Sequence, residues 1–130
     1  VQLYDELGVR RCTNVDFSEA AIDMMRCRNA VARPELRWIV GDCADLSGLF
    51  DNACFDLVIE KGLLDAVMCI SEPGRRRASV GAMLRETSRL LRPGGVFMMA
   101  SVDPKRAEQL EEVLQDNTLA ARLCLERQVC

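Results

Sequence analysis

Arg11–Ser18 reads R-C-T-N-V-D-F-S, and the rest of the chain is read outward from it. Val15 closes an apolar stretch, Asp16 follows as an acid, Phe17 is aromatic, and Ser18 suits a helix N-cap. That order predicts the carboxyl end of a buried strand turning into a helix. In open α/β sheets, ligands bind just outside the carboxyl ends of the strands. A carboxylate there can accept hydrogen bonds from both hydroxyls of a ribose. The plainer alternative is an Asx turn closing an ordinary strand, and Asp16 alone favours it.

Upstream, Leu3, Tyr4 and Leu7 lie at helical spacing and Gly8 suits the position after a helix, so Val9–Asp16 is expected as the strand. Downstream, Ala20, Met24, Cys27 and Val31 form an expected apolar stripe, widened by Ala21 and Met25, and Pro34 stops the helix. Leu36–Gly41 is expected as a second strand ending at Asp42. Phe55–Glu60 (F-D-L-V-I-E) has the composition of a central parallel strand and ends in Glu60, before Lys61-Gly62. Leu63–Ile70 suits a short helix or loop. Val80, Met83, Leu84, Thr87 and Leu91 mark the core face of a long helix. Arg92-Pro93-Gly94-Gly95 breaks it before a strand at Val96–Ser101. Asp103-Pro104 starts a last helix, and 119–130 leans to helix.

Strands alternating with helices imply a parallel sheet with right-handed crossovers. The expected class is α/β: a Rossmann-like three-layer α/β/α arrangement in a single domain over 1–130. Three strand ends carry Asp16, Asp42 and Glu60, an edge suited to a nucleoside. Asp16 would take the ribose, Phe17 would pack on the base, and Asp42 would accept from an exocyclic amine. The N–H of Cys43 or Ala44 would reach a ring nitrogen.

Composition narrows the classes. The chain has 130 residues, 49% of them hydrophobic, and a net charge of −3, which argues against nucleic-acid binding by bulk charge. No run approaches the ~20 apolar residues of a membrane span. With no histidine, a Ser-His-Asp engine is excluded. The seven cysteines include no C-x-x-C pair, so no metal site is expected, and reduced thiols in a cytoplasmic protein are. Arg75-Arg76-Arg77 reads as a solvated face, with the holding of an acidic substrate or partner as the lesser alternative.

The order N-V-D-F-S, V-G-D-C, F-D-L-V-I-E-K-G-L-L-D-A-V and L-R-P-G-G-V-F-M-M resembles class I S-adenosylmethionine-dependent methyltransferases. It is most similar to the branch of the elongation-factor-1A lysine methyltransferases, over roughly residues 1–102. The resemblance implies S-adenosyl-L-methionine as cofactor, with Asp16 at its ribose and Asp42 with Cys43 at its adenine. It places Glu60, Lys61 and Gly62 beside the methionine portion and the acceptor. Glu60 or Asp65 would orient an acceptor amine, and the substrate would be a protein. It also places the family's first strand and glycine-rich loop before residue 1, and the family's strands beyond the fifth are missing or unrecognisable after Ser101, so an incomplete sheet is expected. Glu60 stands where the family has Asp, and Leu63 where it has Thr. Two alternatives stay open: a non-catalytic methyltransferase-like module, and a NAD-binding oxidoreductase half-domain.

Overall fold

The computed structural model describes residues 1–115; the helix expected at 119–130 lies outside them. The chain forms two compact units, Val1–Leu46 and Ser47 onward.

The first unit contains α1 (Gln2–Leu7), β1 (Thr13–Asp16), α2 (Glu19–Asn29) and β2 (Arg37–Val40). Gly8 ends α1 in the left-handed conformation expected of it. β1 is shorter than predicted, because only Thr13–Asp16 has a partner to pair with. β1 and β2 are parallel, with Asp16 opposite Val40, and the Gly41 N–H extends the ladder to the Asp16 carbonyl at 3.0 Å. α2 presents a different face from the expected stripe. Ile22 and Asn29 are buried, whereas Ala20, Met24, Cys27 and Val31 are exposed. Asn29 tolerates burial because its amide is satisfied: it donates to the Met25 carbonyl at 2.7 Å and accepts from Arg33 at 3.0 Å. Arg33 also forks onto Asp5 at 2.9 and 2.6 Å, which ties α1 to the segment after α2 and holds the Asp5 carboxyl below its usual range.

The second unit contains β3 (Phe55–Lys61), α3 (Leu63–Met68), α4 (Pro73–Leu90), β4 (Leu91–Ala100) and α5 (Arg106–Gln115). Val80, Met83, Leu84, Thr87 and Leu91 are all buried, as their spacing predicts. Glu72 caps α4, accepting from the N–H groups of Gly74 at 2.9 Å and Arg75 at 2.7 Å. At the other end Arg89 is bound to Glu86, to the Phe50 carbonyl and to Asn52, so the loop before β3 is fastened to α4.

β3 and β4 are parallel, and Arg92–Gly95 bulges out where the register jumps from Phe55–Leu91 to Leu57–Val96. Gly95 is required at the bulge, since a Cβ would come within 2.9 Å of the Arg92 carbonyl and 3.1 Å of the Asp56 carbonyl. Beyond the bulge, Leu57 and Ile59 of β3 and Val96 and Met98 of β4 are exposed. Alternation puts these four on one side of the sheet. The intervening Val58, Glu60, Phe97 and Met99 are less exposed, and α4 packs against both strands.

The described strands thus make two separate two-stranded parallel sheets. β3, expected in the middle of a sheet, pairs among the described residues with β4 alone. The class is mixed α/β with parallel strands, as the alternating pattern predicts.

Candidate cofactor and acceptor rims

At the end of β1, the Asp16 carboxylate turns back on its own chain. Its Oδ1 accepts from the Ser18 N–H at 2.8 Å, an Asx turn that sets the start of α2. Ser18 Oγ then caps the helix, accepting from the Ala21 N–H at 3.3 Å. Asp16 is exposed, and its other oxygen has no partner among the described residues. Beside it the Phe17 ring is 80% exposed, a large apolar surface at a strand end.

β2 ends one residue before Gly41-Asp42. Asp42 Oδ1 accepts from the Ala44 N–H at 2.9 Å, and the Asp42 carbonyl accepts from the Asp45 N–H at 3.0 Å. Asp42 is exposed, and Cys43 and Ala44 are half-buried. In the parallel register, Asp16, Phe17, Asp42, Cys43 and Ala44 all fall at the carboxyl end of this β-pair. The Ala44 N–H, one of two expected to face a ring nitrogen, is already bonded to Asp42.

In the second unit the acids are embedded. Glu60 is 7% exposed and lies opposite Met99 in the sheet. Its Oε2 accepts from the N–H groups of Leu63 at 2.9 Å and Leu64 at 3.2 Å, so it closes the first turn of α3. Gly62 makes that return possible with a φ of 76°, and its own N–H continues the ladder to the Ala100 carbonyl at 3.0 Å. Oε1 of Glu60 is buried and has no partner among the described residues. Burial pushes the carboxyl above its usual value, against the pull of the two backbone donors.

Asp65 is fully engaged. Oδ1 accepts from Ser101 Oγ at 2.5 Å and from Arg106 Nε at 2.9 Å, while Oδ2 accepts from the Val102 N–H at 3.2 Å. The Ser101 hydrogen bond holds this carboxyl below its usual range, and Arg106 adds to the effect. Arg106 also pairs with Asp103 at 3.4 Å. Ser101 and Arg106 were not picked out from sequence. The signal available was slight: a serine closing a strand, then Asp103-Pro104 and an arginine.

A family described as "Methyltransferase domain" matches residues 1–99, a span that reaches into both units. The chain belongs to the class I S-adenosylmethionine-dependent methyltransferases and resembles the branch of the elongation-factor-1A lysine methyltransferases. Its relatives include the "eEF1A lysine and N-terminal methyltransferase" of Xenopus laevis, 35% identical over 114 residues, which are 88% of this chain and 16% of that protein. The human protein of the same name is 37% identical over 101 residues, 78% of this chain and 14% of that protein. The mouse "EEF1A lysine methyltransferase 4" is 39% identical over 104 residues, 75% of this chain and 39% of that protein. The chain therefore spans well under half the length of these relatives.

Proposed function

We propose that this chain carries the nucleoside-binding and acceptor-facing parts of a methyltransferase that modifies lysine on a protein. The observation that carries the reading is Asp16: an exposed carboxylate at a parallel strand end, locked by the Ser18 N–H, with one oxygen left over and an aromatic ring beside it. A carboxylate preset in this way suits the paired hydroxyls of a ribose. Phe17 offers a face for adenine, and Asp42 an acceptor for its amine, with Cys43 and Ala44 alongside. The residues present fit the nucleoside half of S-adenosylmethionine.

When bound, that cofactor supplies a methyl group on a positively charged sulfur. Transfer needs an amine nitrogen with a free lone pair, held in line with the sulfur–carbon bond. The cofactor would supply the methyl group and keep the electron pair of the S–C bond, while Asp16, Phe17 and Asp42 would hold its nucleoside end. Glu60 is the group we assign to the amine. Oε2 is fixed by two N–H groups, so Oε1 is held in one place, buried and able to accept. Oε1 would accept from the amine and orient it, once its cover opens to the substrate. Asp65 is a positioning residue in this reading: it ties α3, and hence the donors to Glu60, to Ser101 and Arg106.

The relatives' names make elongation factor 1A the first protein to test as substrate. We place the protein in the cytoplasm on the reading of its seven cysteines, none of them in a C-x-x-C pair, as reduced thiols. No helix among the described residues is long and apolar enough to cross a membrane.

Calorimetry with S-adenosylhomocysteine and with NAD tests the cofactor. Binding of the first and not the second is expected, and tight NAD binding would sink the reading. Transfer of a labelled methyl group to elongation factor 1A, lost when its lysines are blocked, tests the acceptor.

A further inference from the structure

Arg75-Arg76-Arg77-Ala78-Ser79-Val80 takes no part in either rim. Two arginines stand three and two residues before a serine, and an apolar residue follows it. Basophilic serine kinases select that order: acidic groups on the enzyme take the guanidinium groups, and an apolar pocket takes the residue after the serine. We propose that Ser79 is a phosphorylation site for such a kinase, reached by fraying of the first turns of α4.

The structure shows both the access and the obstacle. Arg75, Arg77 and Ala78 are exposed, and Arg76 and Ser79 are half-buried. Val80 is 1% exposed, so the kinase pocket can take it only after the helix start has opened. That start is poorly suited to remain closed. Gly74 is a weak helix former, and three consecutive guanidinium groups lie near the positive end of the helix dipole. The opposing device is Glu72, whose carboxylate holds the N–H groups of Gly74 and Arg75. Arg76 adds a long 3.4 Å hydrogen bond to the Ile70 carbonyl.

In the transfer, Ser79 Oγ attacks the γ-phosphorus of Mg-ATP. The new O–P bond forms as the bond to the β–γ bridging oxygen breaks. ADP leaves with that electron pair, and the kinase aspartate takes the hydroxyl proton. The product phosphate stands four residues after Arg75 and three after Arg76, the spacings at which helix side chains meet. It converts a repulsive run into two ion pairs, so the modified helix start is held closed.

The test is incubation of the folded chain with Mg-ATP and the catalytic subunit of cAMP-dependent protein kinase, a basophilic enzyme, with the phosphate located by mass spectrometry. A synthetic peptide of residues 73–84 serves as the unfolded control, and circular dichroism checks each variant. One phosphate at Ser79 is expected, absent in Ser79→Ala and formed more than about tenfold more slowly when Arg76 and Arg77 are both alanine. Glu72→Ala should speed the reaction about fivefold, the worth of a lost cap. A modified peptide beside an unmodified folded chain would overturn the proposal. So would phosphate on another serine with Ser79 untouched, or a rate in Glu72→Ala equal to that of the parent.

Discussion

Asp16 ends β1 and Glu60 is the last residue but one of β3, and both carboxylates accept backbone N–H groups at the start of the following helix. They differ in what surrounds them. Asp16 is exposed, beside an exposed aromatic ring, and uses one oxygen. Glu60 is buried, closes a helix turn, and belongs to a unit in which Asp65, Ser101 and Arg106 are tied together. The same residue class at the same place in a βα junction therefore does two jobs. The first rim is cheap to alter for folding. The second is costly for folding.

The largest expected effect tests the second half of that contrast. Leu64 is 1% exposed and donates the second N–H to Glu60. Leu64→Ala should lower stability by about 2–5 kcal/mol in chemical denaturation, through lost burial and the cavity left behind. A change below about 1 kcal/mol would mean that this rim is as loosely built as the first. Next is Asp16→Ala. Its affinity for S-adenosylhomocysteine should fall about 10–100-fold in calorimetry, the worth of ~1.5–3 kcal/mol of charged hydrogen bonding. Unchanged affinity would remove the ribose role.

A smaller effect concerns pH. Glu60 has a raised pKa in the folded chain, so between its ordinary value of 4.5 and the raised one the folded state binds more protons than the unfolded state. Stability from this group is present at low pH and falls as pH rises through that window. Glu60→Gln should flatten the pH dependence of the unfolding midpoint above 4.5. Asp65, with a lowered pKa, works in the opposite sense: its contribution is present above 3.8 and is lost as pH falls below that value. The smallest effect is Phe17→Ser. Folding stability should change by no more than about 0.5 kcal/mol, because the ring is already in water. Nucleoside affinity should still drop several-fold, and a large loss of stability would show that the ring serves the core.

Much of the first rim was legible because it depends on local order. Strand, acid and N-cap residue fall within eight positions, and chain continuity delivers Asp42 to the neighbouring strand end. The core of α4 was legible because its apolar residues form one unambiguous stripe. α2 carries apolar residues on more than one face, and periodicity cannot choose between them. The choice fell to Ile22 and to Asn29, whose burial depends on partners elsewhere in the unit. Likewise, Asp65 meets residues more than 30 positions away. Such contacts follow from how β4 returns beside β3, which no local pattern encodes.

The exposed row of Leu57, Ile59, Val96 and Met98 has a consequence at the bench. An apolar sheet face in water, next to a strand edge, is a template for association between molecules. That attraction strengthens in sulfate and phosphate salts and weakens on cooling. The chain should therefore precipitate early in ammonium sulfate and remain dispersed best when cold and dilute. Replacing Val96 and Met98 with lysine should raise its solubility more than the same change at any pair of exposed positions on α2.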